Sequence, residues 1–379
     1  MTSREAYLAL NLLPKIGPIR VRRLMEQFGD PVAILKASPK SLVRVSGIGD
    51  DMASQIANWE DRIDLPEEQR RIAEHEIDLL TLEDDAYPSR LRTLHDPPFL
   101  LYVKGTIRPG DDAAIGVVGS RRTTHYGKEQ ARKLSFQLAR AGLCVVSGLA
   151  RGIDTAAHEA ALAAGGRTLA VLGSGIGHLY PPENAELSER ISRAGALISE
   201  FPVLYVPDKQ SFPLRNRIVA GLSKGLLVVE APARSGSMIT ANQALENGRT
   251  VFAVPGPIDR PTSEGCHRLI QQGANLVTSA NDILDEMNQS WSGQGAGIND
   301  LPLDFGENNP DKSDSQEPTV ALGETETLLF DALSETEQSL DQLVELTGLP
   351  IGKASAALLE LELKRLIRQL PGKYFVKLI

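Results

Sequence analysis

Seven short apolar segments, most of them followed by an alanine-rich helical stretch, dominate the chain between residues 112 and 290. They are rich in β-branched residues and lie at 114–119, 144–148, 168–173, 196–200, 225–231, 250–256 and 275–279. A strand that is apolar along its whole length needs cover on both faces, which helices provide in parallel sheets. The pattern therefore predicts an α/β fold with a doubly wound, mostly parallel sheet. Two further apolar segments, 77–82 and 97–105, predict extra strands at one edge of that sheet.

Length and charge indicate how the rest of the chain is divided. At about 150 residues per domain, the 379 residues predict two or three domains. Residues 291–322 contain six acidic residues and one lysine, and so contribute −5 to the net charge of −9. The segment is also rich in Gly, Asn, Pro and Ser and has no apolar periodicity, which is typical of a flexible linker. We expect a core at 66–290, the acidic linker at 291–322 and a separate tail at 323–379.

The first 65 residues predict a small helical domain. Two glycine-containing turns, Ile16–Ile19 and Ser46–Gly49, each open a helix, as in a helix-hairpin-helix motif of the SAM-like type. Amides exposed in such turns can hold a phosphate. Because Asp50 and Asp51 follow the second turn directly and would repel a phosphate, we expect the turns to be structural.

The tail at 323–379 has the pattern of a winged helix-turn-helix. A helix is followed by a second helix, a Thr-Gly turn, a third helix and a short basic hairpin. Residues 351–379 carry six basic and two acidic residues, a net charge of +4. Modules of this kind contact either DNA or another protein, and the sequence leaves both open.

The loops that follow the predicted strands carry the residues with functional character. In a parallel sheet these loops lie together at the carboxyl edge, where ligands bind. They contain Gly, Ser and Thr at helix starts, where backbone amides and hydroxyls can approach an anion, together with arginines that can hold it from the side. The loops are 119–124, 147–154, 173–184, 207–217 and 234–240. This composition predicts a phosphate-binding floor.

The sequence lacks the motifs of several well-known nucleotide-binding and metal-binding sites. The sequence has no GxxxxGK[ST], GxGxxG or HExxH, and its two cysteines do not form a CxxC. We therefore expect no cofactor, no metal and no enzymatic activity. For two polar residues of loop 147–154, Arg151 and Asp154, we expect a buried ion pair, and His158 is expected on a helix surface. Without an apolar run of roughly 18 residues or a secretory leader, the protein is expected in the cytoplasm.

The loops as a set resemble those of the DNA processing protein A family, also called Smf. The motifs GSRRTTHYG, SGLARGIDTAAHEAAL, AVLGSGIGHLYPPEN, FPLRNRIVAGLS and VVEAPARSGSMITANQALENGRTVFAVPG occur in order between about residues 80 and 290. The resemblance implies an extended Rossmann-like core that binds single-stranded DNA without base specificity and forms a homodimer. It also implies a protein that protects incoming DNA and loads the RecA recombinase during natural transformation, and that is not an enzyme.

The resemblance also implies which residues contact DNA. Phe212 could stack on a base, and a lysine common in the family is replaced here by Leu214, so Lys209, Arg215 or Arg217 would supply that charge. Because Arg121, Arg122, Arg215 and Arg217 lie at loops or helix starts, we expect charge reversal there to leave the fold intact. The implied residues are Gly119, Ser120, Arg121, Arg122, Lys209, Phe212, Arg215, Asn216, Arg217, Ser235, Gly236, Ser237 and Thr240.

Two alternative functions remain open at this point. Rossmann-like phosphoribohydrolases place a catalytic acid after the threonine of a PGGxGTxxE loop, at the position of SGSMITANQ here. Thr240 is followed instead by Ala241, Asn242 and Gln243, so that carboxylate is missing. A sensor of a small nucleotide that signals through the tail would use the same phosphate-binding loops.

Overall fold

The computed structural model describes residues 1–289, 323–333, 338–364, 366–370 and 374–377. The chain forms two compact units, Met1–Leu303 and Asp304–Ile379. The linker predicted at 291–322 lies outside the described residues. Across the described ranges, no helix combines the length and the apolar character that crossing a bilayer requires.

A nine-stranded sheet forms the centre of the first unit. Its order is β1-β2-β6-β5-β4-β3-β7-β8-β9. The seven strands β3 to β9 are parallel to one another. At one edge, β2 pairs antiparallel with β6, and β1 pairs antiparallel with β2. All seven predicted strands and the two extra edge strands are present, so the extended Rossmann-like sheet is confirmed. The strands are β1 Asp78–Thr81, β2 Leu100–Gly105, β3 Ala114–Val118, β4 Cys144–Ser147, β5 Thr168–Val171, β6 Ala196–Ser199, β7 Gly225–Val228, β8 Thr250–Ala253 and β9 Asn275–Leu276.

Helices cover both faces of this sheet, as continuous apolar strands require. Alternate residues of β3 enter different cores: Ile115 packs with Leu134 and Ile283 on one face, and Val118 packs with Ile218 on the other. The helices of the unit are α1 Ser3–Leu12, α2 Pro18–Phe28, α3 Pro31–Lys36, α4 Pro39–Leu42, α5 Asp50–Ala57, α6 Leu65–Glu74, α7 Ser89–Arg92, α8 His125–Arg140, α9 Ile153–Ala163, α10 Ala185–Ala194, α11 Ser211–Leu222, α12 Gly236–Glu246, α13 Glu264–Gln271 and α14 Ala280–Gln289.

The N-terminal helices α1 to α5 share an apolar core with the sheet. Leu8 and Ile56 belong to the same buried cluster as Tyr102 of β2 and Leu197 of β6. The two predicted glycine turns precede α2 and α5, and Arg20 links them because its guanidinium donates to the carbonyls of Lys15, at 2.8 Å, and Gly47, at 3.1 Å. The turns are therefore joined to each other.

The second unit has the elements of a winged helix. The elements are α15 Glu324–Ala332, β10 Gln338–Ser339, α16 Leu340–Thr347, α17 Ile351–Leu363, β11 Ile367–Leu370 and β12 Tyr374–Lys377. Gly348 ends α16 with a φ of 67°, a left-handed conformation that glycine adopts without strain. Leu343, Leu358 and Phe375 close a separate core. The predicted helix order, Thr-Gly turn and terminal hairpin are confirmed.

We predict that a protein ending at residue 290 folds as the full chain does. The sheet unit is packed around clusters that lie wholly within residues 1–289, and the winged helix has its own cluster. A shortened chain therefore keeps every residue of the three clusters that pack around the sheet. Thermal unfolding followed by circular dichroism should show one cooperative transition within a few degrees of the first transition of the full chain. A shortened protein that aggregates or melts without cooperativity would contradict this prediction.

Candidate nucleic-acid interface

A pocket lies at the carboxyl edge of the sheet, where loops that follow β3, β4 and β5 meet the start of α11. Its walls combine glycines, which let the loops approach closely, with arginines and aromatic rings. The lining residues are Arg121, Gly148, Ala150, Arg151, Gly173, Ser174, Tyr180, Pro181, Phe212 and Arg215. Three of the sequence-predicted residues, Arg121, Phe212 and Arg215, therefore meet in one place.

Two arginines lie over two aromatic rings in this pocket. The Arg121 Cζ atom is 4.5 Å from the centroid of the Phe212 ring, and the Arg151 Cζ atom is 5.9 Å from the centroid of Tyr180. The two ring centroids are 6.0 Å apart, with 57° between the planes. Such arrangements attract the cation through the quadrupole of the ring. The pocket thus presents positive charge next to flat apolar surfaces.

The loop that carries Arg121 is fixed by Glu230, at the end of β7. The Glu230 carboxylate accepts hydrogen bonds from the Thr123 hydroxyl and from the Thr124 amide and hydroxyl, at 2.8 and 2.9 Å for Thr124. Its main-chain carbonyl accepts from the Ser120 amide at 2.7 Å. A Cβ on Gly119 would lie 2.9 Å from that carbonyl oxygen. Gly119 and Ser120 therefore support the loop, while Arg121 and Arg122 are exposed.

Arg215 forms the floor of the pocket. It is buried, and its Nη1 donates to the Val171 carbonyl at 2.8 Å. Gly148 makes room for it, because a Cβ at that position would lie 1.4 Å from Nη1. Burial lowers the pKa of Arg215 to about 10, and the nearby charge of Asp154 opposes that shift. At neutral pH the guanidinium is therefore charged.

Asp154 is buried near Arg215, which corrects the expected ion pair with Arg151. One of its oxygens accepts the amides of Gly148, at 3.1 Å, and Ala150, at 3.3 Å. Burial raises the pKa of Asp154, and the charge of Arg215 together with these amides opposes the rise. Arg151 is exposed and pairs with Glu183. The expected pair is wrong because Arg151 is at the open end of the loop, two residues before the helix that buries Asp154.

His158 is also buried, so the expectation of a helix-surface position is wrong. It lies on the inner face of α9, one turn after Asp154, where alanines leave space for its ring. The Thr168 hydroxyl donates to the Val145 carbonyl at 2.7 Å, so the His158 Nδ1–H donates to that hydroxyl, also at 2.7 Å. Burial, assisted by the charge of Arg215, lowers the pKa of His158 to about 3.

Arg217 lies away from the pocket. It is buried, its guanidinium donates to Glu200, and its Nε is 3.3 Å from Asp96. Burial raises the pKa of Glu200, and the charge of Arg217 opposes the rise. Arg215 and Arg217 are buried within α11 and do not lie at a loop or helix start as expected, so charge reversal at either position is predicted to disturb the fold. Both face inward from the central turns of α11, where a glutamate would face a buried carboxylate.

The remaining predicted residues form a separate group at the start of α12. Asn216 of α11 reaches the Gly236 carbonyl at 3.4 Å. The Ser235 and Ser237 hydroxyls are 2.8 Å apart, and the Thr240 hydroxyl donates to the Gly236 carbonyl at 3.2 Å. None of them lines the pocket, and Lys209 is exposed in the loop before α11.

Of the pocket residues to which sequence reasoning assigned no DNA contact, three have polar or aromatic side chains: Arg151, Ser174 and Tyr180. All three follow the carboxyl ends of β4 and β5, within loops that the sequence had already marked as functional. Tyr180 received no role because the resemblance pointed to a single aromatic residue, Phe212. Taking every aromatic and cationic side chain of the carboxyl-end loops as a candidate would have found both Tyr180 and Arg151.

The sheet order, the glycine-rich loops and this pocket define a Rossmann-like α/β protein with a cationic pocket at its carboxyl edge. A family model described as DNA recombination-mediator protein A matches residues 78–288, which is more than half of the chain. Models described as a DprA winged helix domain and a SAM-like helix-hairpin-helix tandem match residues 313–373 and 7–58. The chain belongs to the DNA recombination-mediator protein A family.

Known proteins resemble the chain over most of its length. Protein Smf of Synechocystis sp. is 37% identical over 98% of this chain and 98% of its own. The crystal structure of DNA processing protein A from Streptococcus pneumoniae covers 76% of this chain and 98% of its own, at 36% identity and a TM-score of 0.66. DNA processing protein A from Helicobacter pylori, whose structure concerns its single-stranded DNA binding mode, covers 57% and 98% at 29% identity and a TM-score of 0.51.

We predict a pH dependence of stability that originates in His158. Its pKa is about 3 when folded against 6.5 as its ordinary value, so the unfolded chain binds the extra proton as the pH falls below about 6.5. The contribution of neutral His158 to the free energy of unfolding is fully present above that pH. It falls by about 2 kcal/mol between pH 7 and pH 5. In His158→Gln, which keeps an amide donor for Thr168, the free energy of unfolding in urea should lose that part of its pH dependence. If the free energy of unfolding falls by the same amount between pH 7 and pH 5 in the variant and in the native protein, the pH dependence does not originate in His158.

Proposed function

We propose that this protein binds single-stranded DNA in the pocket at the carboxyl edge. The observation that carries the proposal is the exposed Arg121 stacked on Phe212 above a charged, buried Arg215. Cationic groups neutralise phosphates without reading sequence, and aromatic rings stack on any base. Bases must be unstacked to reach such rings, which favours a single strand over a duplex.

The family supports a role in DNA processing. DNA processing protein A from Helicobacter pylori binds single-stranded DNA, and the family to which this chain belongs is described as mediating recombination. On this basis we propose that the protein acts in the cytoplasm as a homodimer, protects incoming DNA and loads the RecA recombinase during natural transformation.

We further propose that the protein acts by binding and not by catalysis. The main support is the position of Glu230, whose carboxylate is hydrogen-bonded to the loop of Arg121. Both of its oxygens accept hydrogen bonds from Thr123 and Thr124. A carboxylate engaged in this way fixes a loop and is poorly placed to move a proton to or from a substrate.

Charge reversal at the pocket tests the proposal. Arg121→Glu and Arg122→Glu should each weaken binding of an oligodeoxythymidylate by roughly tenfold or more, because a phosphate contact becomes a repulsion. Both side chains are exposed, so the melting temperature should not change. Arg193→Glu is the matched control, since Arg193 is exposed at the end of α10 on the opposite edge of the sheet. Fluorescence anisotropy at one salt concentration measures the affinities. Normal binding by both variants would move the site elsewhere.

Competition between strand forms is a second test. An unlabelled single strand should displace a labelled one at a concentration roughly tenfold or more below that of a duplex of the same length, because stacked bases cannot reach the rings of Phe212 and Tyr180. The logarithm of the affinity should fall linearly with the logarithm of salt concentration. Equal competition by duplex and single strand would contradict the stacking model.

A further inference from the structure

The pocket contains a second arginine and aromatic pair that resembles the first. Arg151 lies over Tyr180 as Arg121 lies over Phe212, with distances to the ring centroids of 5.9 and 4.5 Å. The two ring centroids are 6.0 Å apart. This exceeds the roughly 3.4 Å rise per base in a duplex strand, so the two rings suit neighbouring bases that are not stacked on each other.

The two pairs differ in their acidic neighbours. Within the described ranges, Arg121 has no carboxylate at ion-pair distance, whereas Arg151 donates through Nε to Glu183. Arg151 and Glu183 are each about half exposed, at 53% and 48% of their side-chain surface. Exposed pairs are weak and exchange readily for other charged partners. Glu183 thus offers Arg151 the same type of charged oxygen that a phosphate would.

Glu183 is kept in position by its own loop. Asn184, the next residue, is buried, and its amide donates to the Leu149 carbonyl at 2.8 Å and to the Thr155 hydroxyl at 2.9 Å. These bonds tie the loop of Glu183 to the loop of Arg151. Leu149 has a φ of 55°, a left-handed conformation that costs a non-glycine residue energy and that its complete burial offsets. The carboxylate is therefore placed beside Arg151 by the fold.

We propose that Arg151 and Tyr180 form a second nucleotide subsite, in which Glu183 occupies the place of a DNA phosphate until a single strand displaces it. The proposal rests on the proposed binding of single-stranded DNA in this pocket and adds one base and one phosphate to it. Arg151 exchanges the carboxylate for the phosphate, and Tyr180 stacks on the base. Glu183 lowers the affinity of the pocket and makes occupation of the second subsite a competition between two anions.

The decisive variant is Glu183→Gln in the full chain. Removing the competing carboxylate should tighten binding of an oligodeoxythymidylate about two- to fivefold. Glu189→Gln is the matched control: it removes one exposed acid that pairs with Lys104 at 2.8 Å, near the amino ends of the parallel strands. That control should bind as the native protein does. Weaker binding by Glu183→Gln, with an unchanged melting temperature, would overturn the proposal.

Arg151 and Tyr180 are tested in the same assay. Arg151→Ala should weaken binding about fivefold and reduce the salt slope by about 0.7, as expected for the loss of one phosphate contact on a single strand. Tyr180→Ala should weaken binding about tenfold, and Tyr180→Phe should restore it, because the ring is what stacks. In Arg151→Ala, the additional change Glu183→Gln should have no effect.

Arg121→Glu separates failure of this proposal from failure of the proposed function. If Arg121→Glu loses binding but the changes at Glu183, Arg151 and Tyr180 have no effect, the second subsite is refuted and the pocket remains the DNA site. If Arg121→Glu also binds normally, the proposed function fails and the second subsite fails with it.

Discussion

Burial of the Arg215 guanidinium is the constraint around which the carboxyl edge is organised. A buried charge needs hydrogen-bonding partners and space, and both come from neighbouring segments: the Val171 carbonyl accepts a hydrogen bond from Arg215, and Gly148 leaves room for the guanidinium. Phe212 precedes Arg215 by three residues on α11, so the two share one face of the helix. Fixing Arg215 in the floor therefore places the Phe212 ring against Gly173 and beneath Arg121.

Three acidic residues surround this cationic site, and each has a different role. Glu230 fixes the loop of Arg121, Asp154 balances the buried charge of Arg215, and Glu183 pairs with the exposed Arg151. The first two leave the outward positive charge of the pocket in place because their carboxylates face inward. This explains how a chain with a net charge of −9 can present a local surface of positive charge. Sign and position of individual charges decide the potential at a site.

The sequence predicted the sheet well and the buried polar residues poorly. Continuous apolar strands and their helices have an unmistakable period, so every predicted strand is present, as is the antiparallel edge of β1 and β2. Burial of Arg215, Arg217 and His158 was missed, because polar side chains enter a core only where distant loops supply partners such as Val171, Glu200 and Thr168. Those partners cannot be seen from local periodicity. Arg121 and Phe212 could be predicted because they belong to long, specific motifs.

The order of the strands has a consequence for the protein as it is synthesised. The pocket is lined by residues between Arg121 and Arg215, and the Glu230 carboxylate that holds the loop of Arg121 lies further along the chain. In addition, β3 lies between β4 and β7, so its second neighbour emerges from the ribosome more than a hundred residues after it. Contacts of such long sequence separation form late in folding. In a nascent chain that ends before β7, one side of β3 is therefore unpaired, and the loop of Arg121 lacks the carboxylate of Glu230 until the central sheet closes.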